Sequence, residues 1–176
     1  MVPPNPLQNS QAPLSKMRLR VWLRLLKASR LIEDDLRRKM RRQQSWSLSC
    51  FDLMSVLDRS PEGLRMSDIS RRLMVSNGNV TALVDTLTAE GLARRTGLPG
   101  DRRAFLVHLT DFGKAEFAKT AKVHEGWVDD LLAQLNAGSA DALLEVLDQV
   151  IDDIETRSRG PASGDLKGPD TPKSGS

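Results

Sequence analysis

Apolar residues in the middle of the chain follow first a helical spacing and then an extended one. Ile69 and Leu73 lie four residues apart and share one face of a short helix, for which Ser67 is a suitable N-cap. A turn at Met74-Val75 separates this helix from a second one, capped by Ser76. The inward face of the second helix carries apolar residues at 3.6-residue spacing: Val80, Leu83, Val84 and Leu87. The pattern predicts two short helices joined by a tight turn.

A β-hairpin is predicted directly after the second helix. Gly91 suits the position just past a helix end, and residues 92–96 and 104–109 have the extended pattern of two strands. Between them stand the turn residues Gly97, Pro99 and Gly100. Asp101-Arg102-Arg103 then falls at the hairpin tip, where arginine suits the narrow, negative minor groove of DNA. Two helices followed by such a hairpin predict a winged helix-turn-helix, which places one helix in a major groove.

The face of the second helix opposite its apolar residues carries small and amide side chains: Asn77, Gly78, Thr81, Ala82 and Asp85. Asparagine can pair bidentately with adenine, and threonine can contact a thymine methyl group. We therefore expect Asn77, Asn79 and Thr81 to read bases. The remaining expected DNA contacts are Ser67, Arg71, Arg72, Ser76, Arg102 and Arg103, of which the arginines would neutralise phosphates. Asp101 is expected to orient a wing arginine, because phosphates repel a carboxylate.

These residues resemble the MarR family of bacterial transcription regulators, over about residues 16–157. The resemblance rests on the wing signature Asp101-Arg102-Arg103 with Leu106, Val107 and Leu109-Thr110, and on Asn79–Asp85 with Glu90-Gly91-Leu92. Two residues depart from the family pattern. Ser70 stands where alanine is usual, and Met74 stands where glycine is usual, so we expect a turn that avoids positive φ. The resemblance implies a repressor that binds a palindromic operator as a homodimer and is released by a small ligand.

Further helices are predicted on both sides of the winged helix, at residues 17–42, 47–57 and 111–135, with a last one capped by Ser139. The expected fold is mainly α, with a small β-hairpin wing and a helical dimerisation domain. The expected division is a flexible arm (1–15), dimerisation helix 1 (16–46), the winged helix-turn-helix (47–110), dimerisation helices 5 and 6 (111–158) and a disordered tail (159–176). The terminal helices are too apolar to be covered by so small a winged helix, which favours a symmetric homodimer.

Charge is unevenly distributed along the 176 residues, although the net charge is only +3. Residues 16–42 contain eleven Lys or Arg residues and three acidic ones, whereas residues 123–155 contain nine acidic residues and no Lys or Arg. This segregation favours docking of the first helix beside the last two and leaves basic surface for DNA. The single cysteine excludes an internal disulfide, and no apolar run suits a membrane span or a signal peptide, so we expect a cytoplasmic protein.

No arrangement of residues typical of an enzyme stands out, and we expect neither a catalytic site nor a cofactor. A metal site is not expected either, because the only histidines are His108 and His124.

A ligand crevice is expected between the dimerisation helices and the winged helix, lined by Trp22, Trp46, Cys50, His124 and Trp127, although each of these residues is also suited to an ordinary core. Resemblance to regulators of hydroxycinnamate catabolism, together with the basic first helix, implies an aromatic acid or an aromatic acyl-coenzyme A effector.

Two other functions are compatible with the sequence. A winged helix can dock proteins without binding DNA, although such wings tend to be apolar or acidic, whereas this one carries Arg102 and Arg103. Cys50 could be a redox sensor, but it lies four residues before Met54 in an apolar helix face, where it is suited to pack as a small hydrophobe.

Overall fold

The computed structural model describes residues 13–98 and 101–159, without the side chains of residues 98, 101–104 and 159. It has six helices and two strands in these residues: α1 (Leu14–Gln43), α2 (Leu48–Asp58), α3 (Met66–Leu73), α4 (Asn77–Ala89), β1 (Ala93–Leu98), β2 (Asp101–Leu109), α5 (Asp111–Leu131) and α6 (Ala137–Arg159). The predicted tail lies outside the described residues except for Arg159, and so does the predicted arm except for residues 13–15. Since α1 already begins at Leu14, the arm is shorter than expected.

The chain divides into two units after Leu131. The first unit contains α1 to α5 with the hairpin, and the second contains α6. The helix α5 belongs to the first unit because it packs with α1, α2 and β2.

The core of the winged helix is built by α2, α3, α4 and the hairpin. Ile69 on α3, Val80 and Val84 on α4, and Val107 on β2 are completely buried and belong to one cluster. The strands are antiparallel, and Leu64 adds a bridge to Val107 on the other side of β2. This confirms the predicted order of helix, turn, helix and hairpin.

A second apolar cluster joins α1, α2 and α5. It consists of Leu36 and Met40 on α1, Leu48 and Phe51 on α2, and Trp127 on α5. Only the C-terminal half of α1 reaches this cluster. The N-terminal half exposes large apolar side chains, including Trp22, which was expected to line the ligand crevice.

One of the three predicted helix caps, Ser76, is correct, and Ser47, which was expected to be the first residue of its helix, caps α2. Ser47 and Ser76 accept hydrogen bonds from the backbone N–H groups of Cys50 and Asn79, three residues ahead of each. Ser67 is not a cap: α3 begins at Met66 after Arg65, which makes no side-chain cap bond. Ser139 is not a cap either, because its own N–H donates to the side-chain oxygen of Asn136 at 2.9 Å.

The turn between α3 and α4 contradicts the expectation for Met74. Met74 has φ +54°, in the left-handed region that favours glycine, and its side chain is 93% exposed. Ser70 explains how the turn is held: its hydroxyl donates to the Val75 carbonyl oxygen at 2.6 Å. Alanine at this position could not make that bond, so the two departures from the family pattern occur within one turn.

The helix α6 forms the second unit with the residues around it. It exposes large apolar side chains along its length: Leu143, Leu144, Val146, Val150, Ile151 and Ile154. Within the described ranges, no helix combines the length and the apolar character that crossing a membrane requires.

Candidate nucleic-acid interface

The first turns of α4 carry the predicted base-reading residues on an exposed surface. Asn77, Asn79 and Thr81 are exposed, while Val80 between them is completely buried. The Thr81 hydroxyl donates to the Asn77 carbonyl oxygen at 3.0 Å, which leaves its methyl group and its lone pairs available. The sequence pattern therefore predicted the exposed face of α4 correctly.

The arginines of α3 are exposed and held by neighbours. Arg71 forms an ion pair with Asp68, with its Nη2 3.3 Å from Oδ1, and Arg72 donates to the Ser60 hydroxyl at 2.8 Å. Each guanidinium keeps further N–H groups, so these bonds orient the side chains without using all of their donors.

The wing differs from its prediction at the tip. The strand β2 begins at Asp101 rather than at residue 104, and Asp101 pairs with Leu98. The backbone of Asp101, Arg102 and Arg103 is therefore part of the strand and not of the connecting loop. The turn residues Pro99 and Gly100 lie outside the described residues.

An ion pair that was not predicted from the sequence joins the wing to α4. Arg95 on β1 lies opposite Val107 in the hairpin, and its Nη2 is 2.5 Å from Asp85 Oδ1 on α4. The same guanidinium lies 5.2 Å from the ring centroid of Phe105 on β2, within cation–π range. Asp85 is thus engaged with the wing. Strand alternation could have indicated this, since it places Arg95 on the same side as Ala93, which is buried.

The five residues predicted to line one ligand crevice do not form a single site. Trp46 and Cys50 line a cavity of about 390 Å³ between α2 and α4, which also includes Leu83 and Thr86. Cys50 is 4% exposed and belongs to the core of the winged helix. No Lys or Arg side chain lines this cavity, and Glu90 is its one charged residue among those described.

His124 and Trp127 belong instead to the cluster between α1, α2 and α5. The His124 ring stacks on Phe51 with centroids 4.5 Å apart, and the centroid of the Trp127 ring lies 6.3 Å from that of His124. Burial among these rings lowers the pKa of His124, because desolvation disfavours the charged imidazole. Trp22 lies on the exposed part of α1, 57% exposed, and lines neither group. The five residues expected to line one crevice therefore lie in three separate places in the structure.

No group of three or more His, Cys, Asp or Glu side chains in the described part of the chain could hold a metal ion.

The elements and their order define a winged helix-turn-helix protein. Residues 47–104 match the model of the MarR family. Together with the signature residues in α4 and β2, this match identifies residues 47–104 as a winged helix of the MarR type. The match therefore supports the expectation that the protein is not an enzyme.

Similar proteins include transcriptional regulators. The chain is 28% identical over 108 residues to YdgJ of Bacillus subtilis, an uncharacterized HTH-type transcriptional regulator, covering 61% of this chain and 65% of that protein. It is 30% identical over 102 residues to the HTH-type transcriptional regulator PecS of Dickeya dadantii, covering 57% and 61%. The chain thus spans less than two thirds of the length of both. The structure of a MarR family regulator from Silicibacter pomeroyi is 28% identical, with a TM-score of 0.68 over 82% of this chain and 99% of that one.

Proposed function

We propose that the protein is a DNA-binding transcriptional regulator that reads its operator through α4 and holds the adjacent minor groove with the wing. The observation that carries the proposal is the exposed Asn and Thr face at the start of α4, linked to the hairpin through Asp85 and Arg95. Exposed amide and hydroxyl groups on a rigid helix suit contact with base edges. The same arrangement gives the wing a defined direction relative to that helix.

We propose further that the regulator acts as a homodimer on a palindromic operator. The support is the apolar surface on α1 and α6, which a monomer leaves in water. Two copies of α4 about one helical turn of DNA apart would require two half-sites of opposite orientation. Binding across a promoter would repress transcription by occlusion, and the protein would act in the cytoplasm.

The effector proposed for release of DNA is a small aromatic acid or its coenzyme A thioester, as the family resemblance implies. A ligand in contact with Trp46 or Cys50 would adjoin α4, because both line the cavity beside it. The test is titration of feruloyl-CoA, p-coumaroyl-CoA, benzoyl-CoA and the free acids into the operator complex. A typical allosteric coupling of about 1–3 kcal/mol would weaken DNA binding roughly 5- to 150-fold.

The DNA proposal is tested by separating base contacts from phosphate contacts. Asn79→Ala and Thr81→Ala should change the operator recovered by in vitro selection, with a cost of about 1–3 kcal/mol for each lost base contact. Arg102→Ala and Arg103→Ala should weaken binding to all sequences and lower the salt slope by about one unit each. Wild-type protein that binds no promoter fragment even at low salt would support a protein-docking winged helix instead.

A further inference from the structure

A second cavity lies on the face of the hairpin that points away from α4. It has a volume of about 300 Å³, and its walls come from the loop after α2, from both strands and from the start of α5. The side chains that matter are Arg94 on β1, His108 on β2 and Lys114 on α5. None of the residues predicted to bind ligand lies here.

The strand register explains why these side chains share one face. Arg94 lies opposite His108, and the Arg94 Nη1 donates to Thr96 Oγ1, two residues along the same face, at 2.8 Å. Arg95, the next residue, points to the other face, where it contacts Asp85 of α4. The cavity and the proposed base-reading helix therefore lie on opposite sides of the hairpin, joined by adjacent residues of β1.

The cavity offers hydrogen-bond donors with positive charge. Arg94 keeps four of its five N–H donors after its bond to Thr96, and Lys114 contributes an ammonium group. The one acidic residue among the lining residues is Asp111, whose carboxylate is fully exposed and 3.7 Å from the Lys114 Nζ. Convergent guanidinium and ammonium groups favour an oxyanion, since charge-assisted hydrogen bonds to phosphate or carboxylate are stronger than neutral ones.

The wall formed by His108 depends on a specific glycine. Gly63 has φ +78°, and a Cβ atom there would lie 2.4 Å from His108 Cε1. The absence of that atom lets the imidazole close against the loop, with Nδ1 3.4 Å from the Pro61 carbonyl oxygen. Gly63, in the left-handed conformation, and the closely packed His108 ring thus form one wall of the cavity. This wall is fixed by packing, in addition to the long surface side chains of Arg94 and Lys114.

The two cavities differ in charge. The cavity beside Trp46 and Cys50 has no Lys or Arg side chain in its lining, whereas the one at the outer face of the hairpin has one of each. A ligand that carries phosphate would find charged partners only in the second of these two.

We propose that the cavity between Arg94, His108 and Lys114 binds the phosphate group of a small ligand. The inference rests on the proposed function insofar as that ligand is an effector. Occupancy would hold β1 against the start of α5 through Arg94 and Lys114. Because Arg95 follows Arg94 directly, a shift of β1 on ligand binding would move Arg95 relative to Asp85. The angle between the wing and α4 would change as a result.

Inorganic phosphate is the probe for the site, titrated at constant ionic strength into the full-length protein labelled with nitrogen-15. We expect saturable shifts of the backbone amide signals of Gly63, Arg94, His108 and Lys114. Arg94→Gln and Lys114→Gln should each weaken phosphate binding about tenfold, which corresponds to loss of one charge-assisted hydrogen bond. Lys122→Gln is the matched control, since Lys122 is an exposed lysine on the same helix that lines no cavity described here. If either Arg94→Gln or Lys114→Gln fails to fold, phosphate binding by the other variant tests the site.

Shifts that do not saturate, that map elsewhere, or that persist equally in all four proteins would overturn the proposal. DNA binding of the same proteins in phosphate-free buffer distinguishes a small ligand from a DNA phosphate. We expect the salt slope of Arg94→Gln and Lys114→Gln to equal that of Lys122→Gln. A slope lower by about one unit would assign these side chains to the DNA backbone and overturn the small-ligand site. Absence of DNA binding by the wild type would overturn the proposed function but not a saturable phosphate site.

Discussion

At the scale of single residues, Gly63 and Met74 both adopt a left-handed backbone conformation. A side chain at Gly63 would clash with its surroundings, whereas the side chain of Met74 is exposed to solvent. At Gly63 the positive φ coincides with an imidazole ring where a Cβ would stand. Gly63→Ala should therefore lower the free energy of unfolding by more than the roughly 1–2 kcal/mol of the backbone term alone. Chemical denaturation measures the change. Gly126→Ala is the control, because nothing lies within 4 Å of that Cβ and the helix gains propensity. Equal stability of Gly63→Ala and wild type would contradict the prediction.

Met74 also has a positive φ, but its exposed side chain does not pack against the rest of the protein. Replacing it with glycine removes the steric strain of the left-handed region and loses almost no contact, since the side chain is 93% exposed. Met74→Gly should raise the free energy of unfolding by about 0.5–1 kcal/mol, after the greater entropy of glycine in the unfolded chain is included. The control is Ala28→Gly in the middle of α1, which should lower it by about 1 kcal/mol. A destabilised Met74→Gly protein would show that the methionine makes contacts in solution.

His124 gives the stability a defined dependence on pH. Its pKa is lowered below the ordinary 6.5 in the folded protein by desolvation. Protonation therefore favours the unfolded chain, and the contribution of neutral His124 is complete above about pH 6.5 and is lost as the pH falls through and below that value. His124→Phe keeps a flat ring on Phe51 and cannot titrate. The difference in Tm between the variant and the wild type should be constant from pH 7 to 8 and should shift in favour of the variant towards pH 5. Parallel curves over the whole range would contradict the assignment.

At the scale of elements, the Asp85–Arg95 pair connects the second helix of the helix-turn-helix to the wing. Both side chains are partly exposed, so Asp85→Asn or Arg95→Gln should cost less than about 1 kcal/mol of stability. Binding to the operator should weaken more, about tenfold, because the wing loses its fixed direction relative to α4. The double variant should bind no worse than either single one, as expected for a shared interaction. Fluorescence anisotropy with operator DNA measures the affinity of the single variants and of the double variant.

Arg94→Gln is the matched control for this pair, since Arg94 is the neighbouring residue on β1 and points to the opposite face. In phosphate-free buffer, where the proposed phosphate site is empty, it should leave operator binding unchanged. Additive losses in the double variant would mean that Arg95 contacts DNA independently of Asp85.

Periodicity identified the elements because most of their apolar residues face one core. Val80, Val84 and Leu87 are completely buried at the spacing that predicted α4, and alternation predicted the hairpin. Helix ends were less predictable, since Ser67 and Ser139 have the right residue type but lie inside their helices. The caps depend on where the preceding loop arrives, which tertiary packing decides. For the same reason the sequence could not assign Trp46 and Trp127 to different clusters.

At the scale of the whole molecule, charge and apolar surface argue together for a second copy of the chain. Residues 16–42 are strongly basic and residues 123–155 strongly acidic, and the helices in both segments expose large apolar side chains. A homodimer in which these segments meet would cover the apolar surface and pair opposite charges. Such an interface should weaken at high salt only in its electrostatic part, because burial of apolar surface is not screened.

The homodimer can be tested by disrupting the apolar surface of α6 with a single charge. Ile151→Lys places an ammonium group where an isoleucine is half exposed and, in a dimer, would be buried. Gln149→Lys adds the same charge two residues earlier, at an exposed polar position. Light scattering at micromolar concentration should give twice the chain mass for wild type and Gln149→Lys, and a shift towards the monomer for Ile151→Lys. Since a palindromic operator needs two copies of α4, Ile151→Lys should also lose affinity for the full operator more than for a half-site. A wild-type monomer at these concentrations would contradict both the interface and the palindrome.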